Sequence, residues 1–151
     1  MTPDTIEREI TIAAPIEHVW AVLTGPEHIG RWFGPGTPAR VDLRQGGSIV
    51  FDHPPHGEIP ALIELVQAPE LLVFHWVVTG PQDAEPTPKN ASRVEFRLTP
   101  AGEGTVLRVT ESGLARVVMT DQERRERYEA NSAGWRHILD GLLAYAQARP
   151  A

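Results

Sequence analysis

An acidic side chain occupies a position that the strand pattern reserves for apolar residues. Glu111 shares one strand face with Leu107 and Val109, which points its carboxylate toward the protein interior. Because burial of an unpaired carboxylate is costly, this group should gain a partner, stay protonated or lie at a wet end of a cavity. Arg8, on the apolar face of the first predicted strand, is a plausible partner. Glu111 is therefore a candidate for an ion pair with Arg8, for a ligand-orienting or general-base carboxylate, or for an exposed strand end.

A histidine is the second candidate for chemistry. His53 shares strand parity with Ile49 and Phe51, so it is expected to face inward, whereas His75 is expected to face outward. His53 and His56 have the spacing of a loop metal pair, but two prolines stiffen the segment between them and no third histidine is near. Because a catalytic metal site needs about three protein ligands, we expect no metal site.

Several other kinds of catalysis lack the residues they need. The chain contains no cysteine, and no Gly-x-Ser-x-Gly motif surrounds any of its serines, which disfavours nucleophilic catalysis. Gly46 and Gly47 lie inside a predicted hairpin, whereas a phosphate-binding glycine loop follows a strand and opens a helix. We therefore expect no nucleotide and no other cofactor.

Length and charge restrict the class of protein. A chain of 151 residues fits one domain, which we expect to span 1–151. The formal net charge of -6 disfavours nucleic acid as a partner, because phosphate binding depends on a basic surface. No apolar run approaches the roughly 20 residues that a membrane-spanning helix requires, and residues 1–9 are charged, unlike a signal peptide. We therefore expect a soluble, cytoplasmic protein without a membrane partner.

Three helices are predicted. The longest covers 120–151 and begins with Thr120 and Glu123, which have the spacing of a capping box. Its apolar residues recur every three or four positions, as on one helix face: Tyr128, Trp135, Ile138, Leu139, Leu142, Leu143 and Ala146. Two short helices precede the strands. One starts at Pro15 and ends at the Gly-Pro of 25–26, and the other covers 27–32.

Seven strands complete the predicted elements. They span 5–12, 39–44, 48–53, 57–66, 71–79, 92–99 and 105–111. Short turns between consecutive strands favour antiparallel pairing, with the first strand at an edge. The polar, proline-rich loop 80–91 is either a mobile lid or a surface tip. The predicted fold class is α+β, a curved sheet wrapped around the terminal helix, and such an arrangement tends to leave a cavity.

Several motifs, in one order, resemble those of a known family. They are IAAPIEHVW at 12–20, RWFGP at 31–35, DLRQGG at 42–47, VTESGL at 109–114 and NSAGW at 131–135. The chain resembles the single-domain proteins related to the C-terminal domain of the activator of the heat-shock protein 90 ATPase, within the SRPBCC or START-like superfamily. The resemblance covers nearly the whole chain. It implies the helix-grip fold, in which a seven-stranded antiparallel sheet grips the C-terminal helix around a hydrophobic ligand cavity.

We expect this cavity to bind a small hydrophobic or aromatic molecule. The predicted wall residues are Phe51, Ile63, Phe74, Trp76, Val94, Phe96, Val109, Trp135, Leu139 and Leu142, and the predicted polar contacts are Arg8, His53 and Glu111. Trp32 and Phe33 precede a Gly-Pro break. They are predicted either to form one lip of the pocket mouth or to plug the end of the core.

Two other functions stay open at this point. The superfamily that the chain resembles includes lipid and hormone carriers, aromatic-polyketide cyclases, hydroxylase components and co-chaperones. An enzyme of the cyclase or dehydratase type would use Glu111 or His53 as its base, because such reactions need one positioned base in a dry pocket. An interaction module, related to stress, would bind a chaperone or form a homodimer through an exposed sheet edge.

Overall fold

The structure is a computed structural model that describes residues 2–33, 39–52, 57–81 and 84–148. In chain order its elements are β1 (Ile6–Ile12), α1 (Ile16–Thr24), α2 (Pro26–Trp32), β2 (Arg40–Val41), β3 (Ser48–Asp52), β4 (Glu58–Gln67), β5 (Leu71–Val77), β6 (Ala91–Ala101), β7 (Gly104–Ser112), a 3₁₀ turn (Leu114–Arg116) and α3 (Asp121–Ala148). Each predicted helix and strand therefore has a counterpart, and the 3₁₀ turn is an addition.

The strands form one antiparallel sheet in the order β1-β7-β6-β5-β4-β3-β2. Consecutive strands from β2 to β7 are neighbours because short turns join them. β1 pairs with β7 and forms one edge of the sheet, as predicted. Together with the long C-terminal helix and the two short helices after β1, this sheet confirms the α+β helix-grip fold.

Aromatic rings connect the sheet to α3. Phe51, Phe74 and Phe96 lie on the same face, with ring centroids 5.6 Å apart between the first two and 5.9 Å apart between the last two. Phe96 then contacts Trp135 of α3, at a centroid distance of 5.7 Å. Such aromatic contacts add to the free energy gained by burying apolar area. They place the middle of α3 against the centre of the sheet.

The apolar stripe of α3 faces the interior as its spacing predicts. Trp135, Leu139, Leu142 and Ala146 are buried, at most 2% exposed. Complete burial of a leucine side chain contributes about 1.5–3 kcal/mol to folding, so this stripe anchors the second half of the helix. The helix contacts β1, α1 and α2 along its length.

The first predicted hairpin strand is much shorter than expected, Arg40–Val41 instead of 39–44. The chain already turns at Asp42, whose carbonyl oxygen accepts hydrogen bonds from the N–H groups of Arg44 and Ser48, at 3.0 and 3.1 Å. The turn needs glycine, as predicted, because a Cβ atom on Gly47 would lie 2.1 Å from the carbonyl oxygen of Asp42.

The β6–β7 hairpin is longer than predicted. The strands continue through the predicted turn 100–104 and leave only Gly102 and Glu103 between them, with Gly102 at φ +62°. Pro100 is paired with Thr105 of β7. Because β5 pairs with β6 only as far as Arg97, Pro100 lies at a sheet edge, where the missing N–H of proline is tolerated.

Part of the predicted loop 80–91 is tied to the segment before α3. The N–H of Val78 donates to the carbonyl of Asn90 at 2.8 Å, and the N–H of Val118 donates to the carbonyl of Lys89 at 2.7 Å. Residues 82–83 lie outside the described residues. The two roles considered for this loop, lid and surface tip, stay predictions.

The capping box at the start of α3 is confirmed. The N–H of Thr120 donates to Oε1 of Glu123 at 2.9 Å, and the N–H of Glu123 donates to Oγ1 of Thr120 at 3.1 Å. Two N–H groups that a helix start leaves unpaired are thereby satisfied.

Replacing Thr120 with Ala should lower the free energy of unfolding by about 1 kcal/mol, because the N–H of Glu123 loses its acceptor. Urea denaturation measures this change. Thr120→Ser keeps the hydroxyl and is the matched control, for which we expect a loss of less than half that size. Equal losses in the two variants would contradict the role of the hydroxyl.

Candidate functional site

A cleft of about 700 Å³ opens between the first half of α3 and the end of β5. Its sheet side consists of Ile59, Trp76, Val77, Val78, Thr79 and Gly80, and its helix side of Ala130, Asn131, Gly134, Trp135 and Ile138. Phe33 and Met119 complete the apolar lining, and Glu123, Glu126, Arg127 and His137 stand at the exposed rim. The volume and the mixture of an apolar lining with a few polar groups are those of ordinary ligand sites.

Three aromatic side chains, Phe33, Trp76 and Trp135, form what we call the aromatic floor of the cleft. The rings of Trp76 and Trp135 are stacked, with centroids 5.5 Å apart and planes 23° apart. Phe33 packs against Trp76 at a centroid distance of 6.2 Å. All three are at most 9% exposed, so the floor is part of the core and offers the cleft only its outer edges.

Directly behind the floor lies the carboxylate of Glu111, which is completely buried. Trp76 and Trp135 donate their indole N–H groups to it, at 3.1 Å to Oε2 and 2.8 Å to Oε1. Ser92 donates its hydroxyl to Oε2 at 2.5 Å, and Nδ2 of Asn131 lies 3.2 and 3.1 Å from the two oxygens. A carboxylate has about four acceptor sites, so these neutral donors satisfy it, and no described residue forms an ion pair with it.

Three adjacent strands and one helix turn assemble this cluster. Glu111 on β7 pairs with Val94 on β6, and Ser92 on β6 pairs with Trp76 on β5. The three polar groups therefore converge on one face of the sheet. Asn131 and Trp135 are four residues apart on α3, a spacing that puts both side chains on the same face of the helix.

The predicted ion pair between Arg8 and Glu111 is wrong. Arg8 pairs with Val109 across the β1–β7 ladder, while Glu111 lies opposite Ile6. The guanidinium instead reaches α3, where its Nη2 donates to Oγ of Ser132 at 2.7 Å, and its Nε is buried without a partner among the described residues. The register of β1 thus directs Arg8 to the helix and leaves Glu111 to the neutral donors.

Most of the predicted wall residues lie in the packed core, away from the cleft. Phe51, Ile63, Phe74, Val94, Phe96, Val109, Leu139 and Leu142 are at most 2% exposed and belong to the continuous hydrophobic core. Of the ten predicted wall residues, Trp76 and Trp135 line the cleft. Packed side chains therefore fill the space where these wall residues were expected to surround a cavity, and the cleft lies at one end of the interface between the sheet and the helix. His53 lies outside the described residues, whereas His75 faces outward as predicted, 2.7 Å from Glu64.

Trp32 and Phe33, at the end of α2, were predicted either to form a lip of the pocket mouth or to plug the end of the core, and the structure places them differently. Trp32 donates its indole N–H to the carbonyl of Val22 at 2.8 Å, so it fixes α2 against α1 as part of the core. Phe33 lines the cleft. Both also line a second cavity of about 480 Å³ between α2 and α3, which shares Phe33, His137 and Ile138 with the cleft.

The rim of the cleft carries charges of both signs. Hydrogen bonds from the backbone N–H and the hydroxyl of Thr120 hold the pKa of Glu123 below its usual value. Glu126 accepts a hydrogen bond from Gln122 at 3.1 Å. Within the described ranges, no helix is both long and apolar enough to cross a membrane.

On the helix side of the cleft, sequence reasoning found Trp135 but missed Asn131 and Gly134. Asn131 and Gly134 carry no chemical signal of their own, although both belong to the NSAGW motif that supported the resemblance. The four-residue spacing between Asn131 and Trp135 would have put the amide beside an inward tryptophan. Ser92 is a lone hydroxyl at a strand start, and no local pattern connects it with Glu111.

A comparison with protein families adds to this geometry. Residues 13–147 match the family model described as Activator of Hsp90 ATPase homolog 1-like protein. The chain belongs to this family. The Hsp90-activator-homologue family was the one indicated by the sequence motifs, so that prediction is confirmed. No curated protein sequence matches the chain at a significant level.

Solved structures share the fold of this family member. The protein MLL2253 from Mesorhizobium loti is 23% identical, with a TM-score of 0.77 over 97% of this chain and 99% of its own. DynU16, a protein in the dynemicin biosynthetic locus, is 23% identical, with a TM-score of 0.74 over 95% of this chain and 47% of its own. The Aha1 dimer from Colwellia psychrerythraea is 17% identical, with a TM-score of 0.72 over 97% of each chain. At these identities the likeness establishes a common fold.

Replacing Glu111 with Gln should destabilise the protein. The amide has the same shape but turns an NH₂ group toward donors, so at least one buried N–H or O–H loses its acceptor. An unsatisfied buried donor costs about 1–3 kcal/mol, and the free energy of unfolding in urea should fall by that amount. Glu129→Gln, on an exposed face of α3, should change it by less than about 0.5 kcal/mol. A Glu111→Gln protein as stable as this control would contradict the proposed hydrogen-bond cluster.

Proposed function

We propose that the protein binds a small, mainly apolar molecule with an aromatic ring in the cleft between α3 and β5. The observation that carries this proposal is the cleft of about 700 Å³ that ends on the aromatic floor. Beside that floor, the lining includes the aliphatic side chains of Val77 and Val78 on the sheet side and of Ile138 on the helix side. Burial of an aromatic ring against such a surface is favourable by the hydrophobic effect and by ring contacts.

The helix side of the cleft leaves room for a ligand. A Cβ atom built on Gly134 meets no atom within 4 Å, and its neighbour one turn earlier is the small residue Ala130. Larger side chains at these two positions would occupy the space in front of Trp135. The absence of a side chain at Gly134 weakens the helix by about 0.5–1 kcal/mol relative to alanine, a cost that an open binding site would explain.

The surroundings of Glu111 favour binding over proton transfer. A general base must reach the proton it removes, within about 3 Å or through one water. Glu111 is completely buried behind Trp76, Trp135 and Asn131, and these residues already donate to its oxygens. Its role in this proposal is to position the floor of the binding site.

Replacing Gly134 with Leu should block binding without harming the fold. We expect the affinity for 2-naphthol, a small aromatic probe, to fall by about tenfold or more, because overpacking of a filled site costs about 1–3 kcal/mol. Equilibrium dialysis measures the affinity. The midpoint of urea denaturation should stay the same or rise, since leucine is a better helix former than glycine.

The matched control for this variant is Ala133→Leu, which adds a leucine at the preceding position, on an exposed part of α3 outside the cleft. Binding of 2-naphthol to this control should equal that of the wild-type protein. If the wild-type protein does not bind the probe, or if both variants bind it as the wild-type protein does, the cleft is not the binding site.

Self-association is a second candidate property, supported by the Aha1 dimer from Colwellia psychrerythraea that shares the fold. The edge strand β1 is the surface that we infer for such contacts, because among the described residues no other strand pairs with its outer side. Sedimentation equilibrium should then give twice the chain mass of 16.7 kDa. A mass of one chain at micromolar and higher concentrations would overturn this inference and leave ligand binding unaffected.

A further inference from the structure

The side-chain amide of Asn131 has a defined orientation in the cleft. Its Nδ2 faces both oxygens of Glu111, at 3.2 and 3.1 Å. Trp76 and Trp135 donate to the same carboxylate, and an indole N–H is a donor only. The carboxylate oxygens therefore act as acceptors toward this cluster, and the NH₂ end of the Asn131 amide must point to them. The opposite end, Oδ1, is left for any other contact.

Oδ1 of Asn131 is a hydrogen-bond acceptor without a donor among the described residues. Among the described residues, Nε of Arg8 is the one side-chain N or O atom that is both buried and without a partner. Oδ1 of Asn131, which also has no partner, is therefore not buried. Oδ1 is therefore accessible from the outside, and Asn131 is one of the residues that line the cleft. An amide oxygen accepts up to two hydrogen bonds. The cleft thus offers an acceptor beside its aromatic floor.

The indole N–H groups of the floor, the carboxylate of Glu111 and the charged groups of the rim are less available to a ligand than Oδ1 of Asn131. Both indole N–H groups are used by Glu111, and Glu111 itself is completely buried. The charged side chains Glu123, Glu126 and Arg127 are at the exposed rim, where water weakens their contacts. In the described part of the chain, two neutral polar side chains line the cleft, Thr79 on its sheet side and Asn131 on its helix side, and Asn131 is the one that lies one helical turn from Trp135 of the floor.

We propose that Asn131 selects aromatic ligands that carry a hydroxyl or N–H donor. This inference rests on the proposed function and adds the chemical class of the ligand. A ligand O–H or N–H group that leaves water regains a hydrogen bond by donating it to Oδ1, whereas a ring without a donor displaces water from Oδ1 and leaves this acceptor unpaired. Sites built to pair a polar group reject analogues that lack the matching group for this reason.

Two probes of similar shape test the proposal, 2-naphthol and 2-fluoronaphthalene, of which only the first donates a hydrogen bond. Equilibrium dialysis of each probe gives a ratio of dissociation constants in the wild-type protein and in Asn131→Leu. Because the difference in hydrophobicity between the probes is the same for both proteins, it cancels. We expect the preference for 2-naphthol to fall about three- to tenfold in the variant, as for the loss of one ordinary hydrogen bond.

A second measurement uses the wild-type protein alone and does not depend on the folding of a variant. In ¹H–¹⁵N spectra, the side-chain NH₂ signals of Asn131 should shift on addition of 2-naphthol and much less with 2-fluoronaphthalene, because a bond to Oδ1 polarises the amide. Equal shifts with the two probes, or an unchanged ratio of dissociation constants in Asn131→Leu, would overturn this inference while the binding function stands. Binding of neither probe would overturn both.

Discussion

The carboxylate of Glu111, which is buried and has no counter-ion among the described residues, restricts the geometry of the whole end of the molecule where the cleft opens. Glu111 is completely buried, and burial of a carboxylate without compensation is strongly unfavourable. The compensation consists of donors from β5, β6 and α3, supplied by Trp76, Ser92, Asn131 and Trp135. Since each donor must keep its distance to one small group, the end of the sheet and the first half of α3 are held in a defined relation.

The same hydrogen bonds shape the surface that faces the cleft. Two tryptophans whose N–H groups point to one carboxylate are brought together, and their rings are stacked at 5.5 Å. Their polar atoms are turned inward, so the cleft receives apolar ring edges. The side-chain amide of Asn131 is oriented likewise, with its NH₂ group toward Glu111 and its carbonyl oxygen away from it. A structural cluster thereby sets the chemistry of the adjacent site, although its central group touches no solvent.

Glycine and packing explain why the cleft is at this end. The second half of α3 is anchored by Leu139, Leu142 and Ala146, which are buried against the sheet and the short helices. The first half carries Ala130 and Gly134, whose small side chains leave the space between the helix and the end of β5 unfilled. The gap thus follows from the change of residue size along one helix.

Local patterns were sufficient for the elements of the fold. The spacing of apolar residues on α3, the capping box of Thr120 and Glu123 and the glycine turn at Gly47 depend on residues close in sequence, and each was recognised. Strand ends were less accurate, as at Pro100, because edge positions are decided by where the neighbouring strand stops. Motifs spread along the chain identified the family, which the match over residues 13–147 confirms.

By itself, the sequence determined that Glu111 would lie on an inward strand face, because side chains alternate along a strand whatever its neighbours are. Its partner was decided only by the tertiary structure. The register of β1 sends Arg8 to Ser132, while helix packing brings Asn131 and Trp135 to the carboxylate from 20 and 24 residues away in sequence. Alternation is a property of one strand, whereas a hydrogen bond between elements depends on distances that exist only once those elements have packed.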